Sequence, residues 1–241
     1  MTTPKNTPPF NLNFLDDKRI GLTNQDTLRK LVGILGMLLP LLIWLYIWID
    51  SGYGKPLESI SHYYFTRAAS IFCIIVSLLA IFLMVYKGKE RIDFILSCTA
   101  GIFAFCVLLF PTNNITVCCD AEKYYSVTSI AENSARVNFH YISAAIFLLS
   151  LAALSFFVFT RSDKPVIERT NRKKMRNRIY RICAIVMLAA ILFIFIVGYK
   201  GIGMPEEVYT ANHLTFWMET IAIEAFGISW LVKGKAIFDD K

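Results

Sequence analysis

Long apolar stretches, rather than alternating apolar and polar positions, dominate the pattern along this chain. Six such stretches have close to the ~20 residues that an α-helix needs to cross about 30 Å of hydrocarbon. Alternating strands of the kind found in membrane barrels are missing from the sequence, and a backbone in lipid must satisfy its own hydrogen bonds. The pattern therefore predicts six transmembrane helices, at Leu31–Ile49, Ala68–Tyr86, Ile92–Phe110, Asn138–Thr160, Ile179–Tyr199 and His213–Val232.

Composition supports the same fold class. The 241 residues are 56% hydrophobic and 18% charged, whereas charged residues make up about 25% of a soluble domain. Soluble enzymes, secreted disulfide scaffolds and disordered regulators are thereby excluded. We expect an all-α, polytopic membrane protein with an N-terminal tail over residues 1–30, a six-helix transmembrane domain over 31–232 and a C-terminal tail over 233–241.

The distribution of Lys and Arg predicts the orientation. With six spans, the two tails and the second and fourth loops share one side, which carries 20 of the 25 basic residues. Because positive residues stay on the cytoplasmic side, both termini are expected in the cytoplasm. The loops near residues 51–67, 112–137 and 200–212 would then face outward.

The densest group of charges runs from Arg169 to Arg178. We interpret it mainly as charge that sets the topology of the fifth span. The alternative is that it holds anionic lipid headgroups, with about 1 kcal/mol of binding free energy per basic residue. Membrane lipids are thus expected partners, whereas nucleic acid is not, because no base-stacking aromatic residues lie within the group.

Three histidines occur at predicted outer boundaries of the membrane. His62 follows the first span, His140 opens the fourth and His213 opens the sixth. Imidazole is a common metal ligand and proton carrier, so the three side chains would form a shared zinc or proton site. The alternative is three separate side chains that hydrogen-bond at the membrane interface.

Two glutamates follow His213 within the sixth predicted span. Glu219 and Glu224 would lie ~9 and ~16 Å deeper along the helix. A carboxylate at that depth is costly unless it is neutral or paired, and such residues often mark function. Both are candidate ligand-binding residues, and Glu219 is also the candidate catalytic residue.

Five short motifs resemble a bacterial six-span membrane family of unknown function. They are Ser61-His-Tyr-Tyr-Phe-Thr66, Phe110-Pro-Thr112, His140-Tyr-Ile-Ser-Ala144, Phe216-Trp-Met-Glu-Thr-Ile-Ala222 and Phe226-Gly-Ile-Ser-Trp-Leu-Val-Lys-Gly234. More distantly, the chain is similar to the eukaryotic autophagy-modulator and GPI-anchor-remodelling six-span family. The resemblance implies a multi-pass protein of the bacterial inner membrane and points to Ser61, His140 and Glu219. It does not extend to His62 or Glu224.

Two classes of function are consistent with these residues. The first is a non-enzymatic membrane protein that handles or senses a lipid or small ligand through an outward-facing polar pocket. The alternative is a metal-dependent lipid hydrolase, with zinc held by His62, His140 and His213 and with Glu219 as general base. A purely structural scaffold is a third interpretation. A homodimer would fit a small transporter, since the Gly33/Gly36 spacing offers a face for close helix approach.

Overall fold

A computed structural model describes residues 25–86, 88–115, 126–162 and 165–238. These residues form seven α-helices, a short 3₁₀ helix at Ile60–Phe65 and a single 3₁₀ turn at Val166–Glu168. Two of the helices continue as π-helical segments, at Leu154–Val158 and Ile194–Tyr199. The α-helices are α1 (Gln25–Ser51), α2 (Ala69–Val85), α3 (Arg91–Leu109), α4 (Ser134–Ala153), α5 (Asn171–Phe193), α6 (Glu206–Ala211) and α7 (Leu214–Lys233).

The six long helices pack as a closed ring. Consecutive helices α1 to α5 contact one another in chain order, with α2 against α3 and α3 against α4 as extensive interfaces. The last helix, α7, inserts between α1 and α5 and so closes the ring. Successive long helices run in alternating directions. The segments that connect them therefore lie at two polar ends, with the apolar bundle in between.

Four of the helices confirm predicted spans by length and apolar composition. The segments Gln25–Ser51, Arg91–Leu109, Ser134–Val158 and Asn171–Tyr199 are long and apolar enough to cross a membrane. Helix α2 is apolar but has 17 residues. Helix α7 has 20 residues and includes both glutamates. Its crossing, that of α2 and the cytoplasmic placement of the termini stay predictions, and residues 1–24 and 239–241 of the predicted tails lie outside the described residues.

Local capping explains where several helices begin. Glu90 and Asp93 form a reciprocal capping box at the start of α3. The Asn133 side chain accepts the Arg136 N–H at the start of α4, and the Thr170 side chain accepts the Lys173 N–H at the start of α5. Each cap satisfies a backbone donor that the helix itself leaves unpaired.

Glycines of α1 and α7 let these two helices approach closely. A Cβ added at Gly33 would lie 2.9 Å from the Gly227 carbonyl oxygen, and one added at Gly227 would lie 2.9 Å from the Gly33 oxygen. Gly36 faces the Phe226 ring of the same helix α7. The glycine face that the sequence offered for close helix approach is therefore used inside the chain.

Candidate functional site

The segment between α1 and α2 folds back onto the first turns of α7. The Phe216 N–H donates to the Glu58 carbonyl oxygen at 3.1 Å. The Ile60 N–H donates to the Glu219 Oε2 atom at 2.7 Å. Ile60 is the first residue of the 3₁₀ helix, so the glutamate accepts a donor that this short helix cannot pair internally. Glu219 thus docks the segment that carries Ser61 and His62.

His62 is buried within this segment. Its Nδ1 lies 2.7 Å from the Ser59 hydroxyl, and its Nε2 lies 3.4 Å from the Glu58 carboxylate. Burial lowers the pKa of His62 below its ordinary value of 6.5, and the Glu58 charge opposes this effect in part. The imidazole is therefore neutral near pH 7, and it borders a carboxylate.

His140 lies in the second turn of α4, six residues after the start of this helix at Ser134. Its ring is 3% exposed, and its Nδ1 lies 2.8 Å from the Phe110 carbonyl oxygen. Since a carbonyl only accepts, Nδ1 carries the proton, and Nε2 of a neutral ring is an acceptor. His140 also lies close enough to His62 for the two rings to interact electrostatically.

His213 precedes α7 in an uncommon backbone conformation. Its φ of 51° and ψ of 40° lie in the left-handed region, which residues other than glycine rarely adopt. Among the described residues, its buried Nδ1 atom has no hydrogen-bond partner. Lys55 and Glu58 lie within electrostatic range of the ring. Backbone strain combined with an unpaired polar atom is typical of functional positions.

A small cavity opens directly below this group. It has a volume of about 50 Å³ and is lined by apolar side chains of α1, α2, α3, α4 and α7. The polar residues in the described lining are Ser61 and Glu219. Ala144, one helical turn below His140, also lines it. We call this space the apolar cavity; its volume accommodates a few water-sized groups.

Together these residues define what we call the histidine end of the molecule. Its members are Glu58, Ser59, Ser61, His62, His140, His213 and Glu219. Five of the six sequence candidates are therefore near one another. Glu224 is not part of this group, because it lies on the partly exposed face of α7 with Trp217, Ile221 and Ile228. Its role stays a prediction.

Sequence reasoning missed Glu58 and Ser59. The Glu58-x-x-x-His62 spacing does not indicate this contact, because Glu58 precedes the 3₁₀ helix that carries His62 and the two residues share no α-helical face. Across the described part of the chain, the structure places no three His, Cys, Asp or Glu side chains in a group that could hold a metal ion. The predicted zinc site at His62, His140 and His213 therefore stays a prediction.

The fold defines a multi-pass membrane protein with a group of polar side chains at one end. The chain is 23% identical over 218 residues to purinoceptor 1 of Mus musculus, with 83% of this chain and 57% of the receptor covered. It is 23% identical over 202 residues to purinoceptor 1 of Gallus gallus, covering 77% and 56%. It thus spans somewhat more than half the length of the curated relatives it matches. No family model matches the chain, and no solved structure matches it.

The likeness to these receptors agrees with the membrane-protein character of the helices. It is a similarity to receptors and does not assign the chain to their family.

Proposed function

We propose that this chain is an integral membrane protein that binds a lipid or small amphiphilic ligand at its histidine end and thereby senses or handles it. One observation carries the proposal: Ser61 and Glu219 line a cavity whose other walls are apolar. A pocket with a few polar groups above an apolar lining is the usual form of a small-molecule site. The sequence predicts that this end faces outward.

The chemistry of Glu219 supports such a role. Its Oε2 atom already accepts the Ile60 N–H, which fixes the carboxyl group in place. In the described part of the chain, that is its sole hydrogen bond, so Oε1 is available to a ligand. A hydroxyl, amine or amide of the ligand would donate to Oε1, while its apolar part enters the cavity.

The size of the cavity limits what enters it. About 50 Å³ is far below the 300–1,000 Å³ of pockets that enclose a whole small molecule. We therefore propose that the end of an apolar chain or a small apolar group enters, with the rest of the ligand outside in the lipid or the aqueous phase. The similarity to purinoceptors supports sensing over hydrolysis, and the resemblance in the sequence supports the bacterial inner membrane as the location.

Three glutamate variants test the proposal. Glu219→Gln keeps an acceptor for the Ile60 N–H and replaces the second carboxyl oxygen with a donor amide group, whereas Glu219→Ala removes both. Glu224→Gln is the matched control, because it makes the same chemical change in the same helix outside the histidine end. Native mass spectrometry of each purified protein would measure co-purified lipids and amphiphiles.

We expect Glu219→Gln to retain the wild-type melting temperature and lose the bound ligand, while Glu224→Gln retains it. Glu219→Ala should also lose about 1–3 kcal/mol of stability, since the Ile60 N–H is left unpaired. Identical ligand profiles for all four proteins would contradict the proposal.

Metal content of the same samples tests the hydrolase alternative. About one zinc per chain, lost in a His140→Ala variant, would favour the hydrolase over our proposal.

A further inference from the structure

A second and larger cavity lies at the opposite end of the bundle. Its volume is about 400 Å³, which is within the usual range for small-molecule sites. Its lining comes from α1, α5 and α7, from the segment before α3 and from the end of α4. We call it the basic cavity because of its cationic lining residues, which are Arg29, Lys89, Arg161, Lys173, Arg176, Lys233 and Lys235.

Basic side chains outnumber carboxylates in the described lining of this cavity. Asp93 is the carboxylate in the described lining, and it is bound by Arg161 at 2.5 Å. Two further carboxylates lie at the margin: Asp26 bonds Arg29 and Lys235 at 2.7 Å each, and Glu90 lies 3.0 Å from Arg161. In the described lining, seven basic side chains therefore lie beside one carboxylate, with two more carboxylates at the margin.

Two of these cations, Arg29 and Lys233, are partly buried, which charge that only sets topology does not require. Arg29 is 15% exposed at its side chain, and its Nε atom is buried with no hydrogen-bond partner among the described residues. Lys233 lies over the Phe159 ring, 5.2 Å from its centroid. It is also within electrostatic range of Arg29, Lys89 and Lys173. Burial and the neighbouring charges of Arg29 and Lys173 lower the pKa of Lys233 to about 7. An anion in the cavity would offset this cost and keep the lysine charged.

We propose that the basic cavity binds a phosphate-bearing anion that carries more than one negative charge. Phosphate oxygens match both kinds of donor present, the planar guanidinium of arginine and the ammonium of lysine. Tyr86 and Tyr180 also line the cavity, and the Arg29 guanidinium lies 5.6 Å from the centroid of the Tyr86 ring. Either a phospholipid headgroup from the adjacent leaflet or a soluble phosphate ester supplies this chemistry.

The test uses the full chain in nanodiscs of neutral lipid. Inorganic pyrophosphate is the soluble probe, measured by calorimetry, and dioleoyl phosphatidic acid is the lipid probe, measured as retained lipid in native mass spectra. The cavity variant is Lys173→Gln with Lys233→Gln. The control variant is Lys174→Gln with Arg178→Gln, which removes the same charge from exposed positions outside the cavity.

At least one probe should bind saturably to the wild-type chain. The cavity variant should weaken that binding by about tenfold or more, at roughly 1 kcal/mol per basic residue, and the control variant by less than about twofold. Binding of pyrophosphate identifies a soluble ligand, and retention of phosphatidic acid alone identifies a headgroup. Absence of binding by both probes, or equal weakening in the two variants, would overturn the proposal.

A measurement on the wild-type chain makes the test independent of variant folding. Acetylation of lysines is followed by mass spectrometry with and without the bound probe. Lys173 and Lys233 should be protected at least about threefold when the cavity is filled, whereas Lys174 should react as before. Equal reactivity of all three lysines in both conditions would contradict occupation of the cavity.

Discussion

The histidine end and the basic cavity lie at opposite ends of one ring of helices, and they satisfy their polar groups differently. At the histidine end, Glu219 accepts the Ile60 N–H and His140 bonds the Phe110 carbonyl. At the basic cavity, seven cations surround a lining whose described carboxylate is Asp93. The first end is closed mainly by bonds within the chain, whereas the second is a space of about 400 Å³ that is lined by basic side chains. Ligands should therefore affect stability more strongly at the basic cavity.

The largest expected effect comes from disrupting the close packing of α1 against α7, because both helices line both cavities. In Gly227→Leu, the Cβ of the new side chain would clash with Met37 Cγ and would lie 2.9 Å from the Gly33 carbonyl oxygen. Overpacking of this kind costs about 1–3 kcal/mol or more. We expect loss of monodisperse protein on size exclusion and a lower melting temperature. Gly54→Ala, whose Cβ has 3.6 Å of clearance, is the control and should behave as wild type.

The next largest effect is expected at the basic cavity alone. Asp93→Asn removes the buried carboxylate that Arg161 contacts, and with it the negative charge in the described lining of the basic cavity. Arg161 is 32% exposed at its side chain, so the expected loss is about 1–3 kcal/mol, below that of a fully buried pair. Pyrophosphate should raise the melting temperature of this variant by more than it raises that of the wild type. An identical response in both proteins would contradict the comparison.

Acidification should act on the histidine end. The folded-state pKa of His62 lies below 6.5 because the ring is buried, so the unfolded chain binds more protons as the pH falls below about 6.5. The contribution of His62 is fully present above that pH and is lost as the pH falls toward its folded pKa, at up to about 1.4 kcal/mol per pH unit. Melting temperatures between pH 7.5 and 5 should fall more steeply for wild type than for His62→Gln. Parallel curves would show that His62 does not titrate in this way.

The smallest expected effect concerns the left-handed backbone conformation of the residue that precedes α7. His213 has a φ of 51°, where an alanine costs about 1–2 kcal/mol and a glycine does not. His213→Gly should therefore melt higher than His213→Ala. At Thr215, inside the helix, the order should reverse, with glycine lower by about 1 kcal/mol. The same order at both positions would indicate that the left-handed conformation carries no strain.

Much of the bundle was predictable because lipid imposes length and apolarity on each helix. The span predicted at Ile92–Phe110 corresponds to the helix Arg91–Leu109. Helix α7 was harder, since two glutamates dilute its apolar character. The sequence also identified His62, His140 and Glu219 as candidates, because polar side chains at membrane boundaries are conspicuous against apolar surroundings.

Tertiary contacts account for what could not be predicted. The 3₁₀ helix at Ile60–Phe65 depends on an acceptor from α7, and no local pattern indicates a partner so distant in sequence. The basic cavity has the same origin. The segment Arg169–Arg178 was recognisable as a charge cluster, but its proximity to Arg29 and Lys233 follows from the closure of the ring by α7.

The bond between Ile60 and Glu219 also orders events during synthesis of the protein. The two residues are 159 positions apart, so at about 5–20 residues per second the glutamate leaves the ribosome roughly 8–30 s after the isoleucine. Until then the Ile60 N–H depends on water, and the segment around Ser61 and His62 has no anchor on α7. The cavity at this end is consequently assembled only after the first turns of α7 have been synthesised, although the segment that carries Ser61 and His62 is made much earlier.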